Sequence, residues 1–247
     1  SVTGTKKYRE PFEPMLSGVS FAEYNDLDSV VSKITDQTYA VIVEAVQGEG
    51  GIYPANAEFL QGIRKICDEK DIMMICDEIQ CGMGRSGKMF AYQHYGIQPD
   101  IVTMAKGIGN GMVVGAIATT EKIANALVPG DHGTTFGGNP LAAAAVNATL
   151  SQFKEKEIPS HVQEVGEYLG KRLQELVDTK EIAKEARGIG LMRGLELCEP
   201  AGPYVLKALE KGLILMSAGT HVIRFVPPLV IEKKHVDEMF DILNEVL

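Results

Sequence analysis

Apolar positions along the chain fall into two rhythms. Ala40 to Val46 (AVIVEAV), Ile72 to Cys76 (IMMIC) and Asp100 to Ala105 (DIVTMA) are short, nearly continuous runs rich in Ile and Val. Such runs suit strands of a parallel sheet buried on both faces. Between the first two, Phe59, Leu60, Ile63 and Ile66 recur at helical spacing within Ala57 to Lys70, which predicts a strand, helix, strand unit. A fourth strand, Gly115 to Thr120, follows a glycine-rich turn. A helix then opens with Asn139 as its cap and Pro140 in the first helical position.

From about residue 151 the texture changes. A charged amphipathic helix spans roughly Ser160 to Val177, followed by GIGLMRGLELC, a helix near Tyr204 to Lys211, LILMSA, HVIRFVPPL and a terminal helix from Glu232. Strands and helices alternate in a smaller unit. The reading is two domains, 1–150 and 151–247, with no linker, repeat or low-complexity tract between them.

Composition narrows the function. With 24 Lys+Arg against 33 Asp+Glu the net charge is −9, and no basic block or aromatic–basic interleaving occurs. That argues against a nucleic acid or an anionic membrane as partner and favours small-molecule chemistry. The 45% hydrophobic and 23% charged content is that of a globular chain, not a disordered one. No apolar run reaches membrane-spanning length, and SVTGTKKYREPF is neither a signal nor a transit peptide, so a cytoplasmic location is expected. Cys67, Cys76, Cys81 and Cys198 lack paired C-x-x-C spacing, so buried thiols are expected, with no disulfide framework and no metal site. The first residue is not Met and no recognisable element opens the chain, which reads as a piece of something longer.

In an open α/β sheet, ligands lie beyond the carboxyl ends of the strands, so polar residues there carry the most information. The first strand runs into Glu44 and then Gln47 to Gly51 (QGEGG). The second ends in Asp77-Glu78-Ile79-Gln80, and the third in Lys106 followed by GIGNG. A lysine leaving an apolar strand into glycines can be desolvated, which makes its amine a nucleophile toward carbonyls. A carboxylate on the neighbouring strand suits a ring nitrogen that must stay protonated. Together they point to pyridoxal phosphate. Gly82 to Gly87 (GMGRSG) also fits G-x-G-x-x-G, but Asp77 to Cys81 separate it from the strand, and no acidic residue ends a second strand about 20 positions on. Dinucleotide binding is therefore set aside.

Four separated segments carry a family likeness: VEAVQGEGGIYP, ICDEIQCGMGRSGKMFAYQHYGIQPDIVTMAKGIGNG, HGTTFGGNPLAAAAV and HVIRFVPPLVI. In this order they resemble the class-III, pyridoxal-phosphate-dependent aminotransferases over essentially the whole chain. The acetylornithine branch is most similar; the ornithine, succinylornithine and 4-aminobutyrate branches share most of these positions. The resemblance implies a type I fold for enzymes of this cofactor: an α/β, mostly parallel sheet in a partial large domain, plus a small C-terminal α+β domain. It also implies transfer of the terminal amino group of N-acetylornithine to 2-oxoglutarate, a step of arginine biosynthesis.

By the same resemblance, Lys106 is the lysine that attaches the cofactor and shuttles the proton, and Asp77 partners the pyridinium nitrogen. Gln80 matches the residue that hydrogen-bonds the phenolic oxygen, and Ile79 the apolar side chain on one ring face. Thr135 matches a hydroxyl that reaches the phosphate of a neighbouring subunit's cofactor, with Thr134 beside the substrate, which implies a homodimer with its site at the interface. Arg224 matches the arginine that grips the substrate carboxylate by a planar fork. Glu49 matches the carboxylate that pairs with that arginine when an amine enters. Glu44 receives no role, and Arg85 and His132 read as structural.

Two departures stand out. Met112-Val113-Val114 lies where relatives commonly carry a proline. The family's preceding segment, with its phosphate-cradling loop at a helix N-terminus and its ring-stacking aromatic, has no counterpart here. The four remaining strands would then lie in a sheet with missing neighbours. The alternative expectation is a catalytically silent fragment or subunit that keeps the motifs.

Overall fold

A computed structural model describes residues 1–247. In chain order it contains α1 (Lys6–Arg9), α2 (Leu27–Lys33), β1 (Ala40–Val43), β2 (Val46–Gln47), β3 (Tyr53–Pro54), α3 (Ala57–Lys70), β4 (Met73–Asp77), β5 (Ile101–Met104), β6 (Ala116–Thr119) and α4 (Glu121–Ala124). The second half contains α5 (Pro140–Glu155), α6 (Ile158–Thr179), β7 (Ala183–Ile189), β8 (Met192–Leu197), α7 (Gly202–Glu210), β9 (Met216–Ala218), β10 (Val222–Phe225) and α8 (Lys233–Val246). No helix is long and apolar enough to cross a membrane.

The first sheet has the order β1-β4-β5-β6, with β1, β4 and β5 parallel and β6 antiparallel to β5. Helix α3 provides the crossover between β1 and β4. Asn56 caps it by accepting from the Phe59 N–H at 2.7 Å, which stabilises the start by about 1 kcal/mol. It buries Phe59, Leu60, Ile63 and Cys67 in a cluster with Val43, Met74, Cys76 and Val102 of the strands. Each large apolar side chain so buried contributes roughly 1.5–3 kcal/mol.

Only that face of the sheet is well covered. Along β4 and β5 the alternate residues Ile75, Asp77, Ile101 and Thr103 are half-buried, and on the outer strands Ile42 and Ile117 are 45% and 65% exposed. The near-continuous apolar runs predict burial on both faces, and the structure provides one. The expected strand Ala40 to Val46 is also two pieces. The Glu44 carboxylate accepts the Gly48 N–H at 3.0 Å, bending the chain so that β2 leaves the sheet and pairs with β3.

The second sheet is antiparallel throughout, in the order β7-β8-β10-β9. Leu195, Leu197, Ile223 and Phe225 project into a second core with Val162, Val165, Leu169 and Leu173 of α6 and Val236 and Leu243 of α8. Strand β7 is not foreseen by the sequence, because AKEARGI interleaves charges with small residues. Its pairing with β8 also explains GIGLMRGLELC as the end of one strand, a turn and the next strand.

The G-x-G-x-x-G segment is a turn, not a strand–helix junction, with Gly84 and Gly87 lying against Phe153 of α5 and Gln163 of α6. Arg85 within it is half-buried and donates to the carbonyls of Leu191 at 3.1 Å and Pro227, tying the turn to the second unit. Burial pushes its guanidinium down to about 10.

Candidate functional site

The parallel register of β4 and β5 pairs Asp77 with Thr103 at the carboxyl ends of both strands. Thr103 Oγ1 donates to Asp77 Oδ1 at 3.1 Å, and the Ile79 N–H donates to the same oxygen at 3.0 Å. Asp77 is thus held by two donors on one oxygen while Oδ2 stays free of protein partners. Three residues beyond Thr103, at the start of a single 3₁₀ turn, Lys106 adopts φ +46°. A non-glycine residue in the left-handed region is strained by roughly 1 kcal/mol or more, and such strain concentrates at functional positions. Lys106 is exposed, so the expected withdrawal from water is not met; the strand end opens toward the uncovered face of the sheet.

Beside this pair lies a polar cluster joining both units. Arg224, centred in β10 and only 7% exposed, donates through Nη1 to Glu49 Oε1 at 2.5 Å and to Gln80 Oε1 at 3.3 Å. Gln80 Nε2 in turn donates to Glu49 Oε1 at 3.2 Å. The Gln80 amide is therefore engaged within the protein by Glu49 and Arg224, whereas the resemblance gives it the phenolic oxygen of the cofactor as partner. Arg224 Nε is buried without a partner. The bond from Arg224 holds the Glu49 carboxyl below its ordinary range, with Gln80 and the positive field of Lys106 adding to the effect.

Behind the cluster, Glu44 is pushed above the usual carboxylate range by burial; the neighbouring Asp77 adds to this, and the Gly48 N–H and Lys106 oppose it. Lys106 therefore lies within the field of both Glu44 and Glu49. Ile79 is half-buried in the turn after Asp77. Thr134 and Thr135 stand apart. Both are exposed between α4 and α5, and neither hydrogen-bonds to the cluster.

Two residues beyond the predicted set support the site. Glu78 is fully buried, and its carboxylate accepts the Ala91 and Tyr92 N–H groups at 2.8 Å each, anchoring the turn after the Asp77 strand. Burial raises its carboxyl despite those bonds. The available signal was an acid with apolar residues on its strand side, in I-C-D-E-I. The second is Arg187 in β7, buried and aimed at the loop that carries Glu49.

The class-III aminotransferase family model matches residues 1–247. The chain is 45% identical over 246 residues to an acetylornithine aminotransferase of Methanocaldococcus jannaschii, covering 100% of this chain and 62% of that protein. It is similar in structure to the ornithine aminotransferase of Toxoplasma gondii (TM-score 0.94, 29% identity, 99% of this chain and 60% of that one). The N-acetylornithine aminotransferase of Stenotrophomonas maltophilia also matches (TM-score 0.84, 34% identity, 92% and 61%). The chain spans about three-fifths of the length of these relatives. With a shared fold, 45% identity to a curated relative and a family model covering every residue, the chain belongs to the class-III aminotransferases.

Proposed function

We propose that this chain carries the catalytic centre of an aminotransferase that moves the terminal amino group of N-acetylornithine to 2-oxoglutarate. The observation that carries the reading is the convergence of Asp77, Lys106, Glu49 and Arg224 from two sheets at one strand-end edge. Pyridoxal phosphate is the cofactor of the family, and the free Oδ2 of Asp77 fits its ring nitrogen. When bound, it supplies a conjugated ring that takes up the electron pair released at the amino-bearing carbon.

The chain's own groups do the rest. Asp77, fixed by Thr103 and Ile79, would hold the ring nitrogen and favour its protonated form by charge. Lys106 Nζ would hold the cofactor as an amine nucleophile toward its carbonyl and would serve as the base that carries the proton of the amino-bearing carbon. Arg224 offers its guanidinium to the carboxylate of the oxo acid, with the unpartnered Nε as an additional donor. Glu49 neutralises Arg224 when the incoming group is an amine, which lets one site accept two unlike substrates in turn. Thr134 and Thr135, exposed and free of this cluster, are assigned to the substrate and to the cofactor phosphate of a second subunit in a homodimer. Ile79 is assigned to one face of the ring.

One observation favours the alternative of a silent fragment: the sheet face that carries Asp77 is half open, with Ile42 and Ile117 exposed along it. An amino-transfer assay separates the readings. Glutamate formed from 2-oxoglutarate is measured with N-acetylornithine, ornithine, succinylornithine or 4-aminobutyrate as donor. The proposal expects turnover fastest with N-acetylornithine and lost in Lys106→Ala. Faster turnover with another donor rejects the substrate assignment, and no turnover with any donor supports the silent fragment.

A further inference from the structure

We propose that Arg187 is a positioning residue that holds Glu49 on Arg224 and so sets how readily the site admits a substrate carboxylate. The inference rests on the reading of Glu49 as the mask of Arg224. It comes from the register of the second sheet. Arg187 of β7 pairs with Gly194 of β8, Gly194 with Arg224 of β10, and Arg224 with Met216 of β9. Directly paired residues share a face, so two buried arginines flank a glycine in one row across the sheet.

The segment Glu49 to Tyr53 lies along this row. Glu49 meets Arg224 at one end. In the middle, Ile52 is fully buried where Gly194 has no side chain; a Cβ there would come within 3.1 Å of the Ile52 Cβ. At the other end Arg187 Nε donates to the Gly51 carbonyl at 3.0 Å, and its guanidinium stacks 3.9 Å from the centre of the Tyr53 ring. Arg187 is itself fixed by Glu185 at 2.7 Å and Glu196 at 2.6 Å.

The loop needs such a hold. Ile52 is β-branched yet sits at φ +57°, and Gly51 at φ +117°. A β-branched residue in the left-handed region persists only where its surroundings over-determine it. Arg187 and Tyr53 are the fixed end of a short strained arm whose other end is the Glu49 carboxylate. Releasing that end makes Glu49 easier to displace, which favours carboxylate-bearing substrates over amines at Arg224.

The test reads the exposure of Arg224 directly. Phenylglyoxal, which reacts with free guanidinium groups, is applied to the full chain, and the labelling rate of Arg224 is followed by peptide mass spectrometry. Arg64, paired with Asp68 and Asp100 outside this cluster, is the internal control. Glu49→Ala is expected to raise the Arg224 rate several-fold; if it does not, the masking reading falls and this proposal with it. Tyr53→Leu and Arg187→Met are each expected to raise the rate several-fold when Glu49 is present and to add nothing in the Glu49→Ala background. No rise with Glu49 present, or the same rise in both backgrounds, overturns the proposal while leaving the mask intact. Tyr53→Leu leaves the buried ion pairs of Arg187 untouched, so it decides the matter if Arg187→Met accelerates Arg64 as well and thereby reports unfolding.

Discussion

Strand β10 is buried at all four of its residues, whereas β6, at the edge of the other sheet, leaves Ile117 and Ala118 exposed. The contrast extends to the faces of the two sheets, although the edge strand β9 leaves Met216 and Ser217 exposed. In the second, one face packs on α6 and α8 and the other receives the Glu49 to Tyr53 loop, so the unit is closed by elements of this chain. In the first, α3 covers one face while the other, with Asp77 and Thr103 at its edge, stays partly open. The closed unit holds the buried Arg224, and the open one carries Asp77 and the exposed Lys106 at its strand ends. A binding site set on rigid strands but reached through an open face is consistent with ligands lying beyond strand carboxyl ends.

Substitutions in the two units should act by different mechanisms. Glu78→Ala should have the largest effect, because it strands the Ala91 and Tyr92 N–H groups in the interior of the first unit. At about 1–3 kcal/mol per unsatisfied buried group, a loss of about 4 kcal/mol is expected in denaturant unfolding. A loss under 1 kcal/mol would show that this unit does not depend on its buried acid. Leu195→Ala in the second unit, where the side chain is fully buried in hydrocarbon, should cost about 3 kcal/mol by the cavity it leaves. The mechanisms differ, so restoring a carboxylate as Asp at position 78 should rescue in part, while no polar residue should rescue position 195.

Glu44→Gln should give a smaller, pH-dependent effect. Burial raises the Glu44 carboxyl in the folded chain, so its contribution is fully present below the unfolded carboxylate range and is lost as pH rises through the folded value. Gln keeps an acceptor for the Gly48 N–H without the charge. The Tm of Glu44→Gln relative to the parent should therefore be least favourable in acid and should rise toward neutral pH; the opposite trend would reject the assignment. The mildest test leaves the fold unchanged. Burial pushes Cys67 up to about 11 and Cys76 up to about 12, and places Cys81 well above its ordinary value, while Cys198 is exposed. A neutral-pH thiol reagent should modify Cys198 quickly in the folded protein and the other three only after unfolding.

Local signals in the sequence were the readable ones. The Asn139 cap and Pro140 start are set by neighbouring residues, and α5 begins there with Asn139 accepting from Ala142 at 2.9 Å. Periodicity likewise placed α3 from Ala57 to Lys70. The pairing of Glu49 with Arg224 spans 175 residues and was reached only through the family resemblance. The exposure of Lys106 depends on what covers the far face of the sheet, which no local pattern encodes. Arg187 was missed because the strand that carries it reads as polar, and its partner is a backbone carbonyl with no sequence signature.

Trapping shows whether Lys106 and Asp77 form a cofactor-holding pair. Pyridoxal phosphate is added to the chain, the product is reduced with borohydride, and the modified lysine is identified by peptide mass spectrometry alongside Lys106→Ala and Asp77→Asn. Modification is expected at Lys106, with none in Lys106→Ala and a weaker yield in Asp77→Asn. Modification spread over surface lysines, unchanged when Lys106 is replaced, would contradict that expectation.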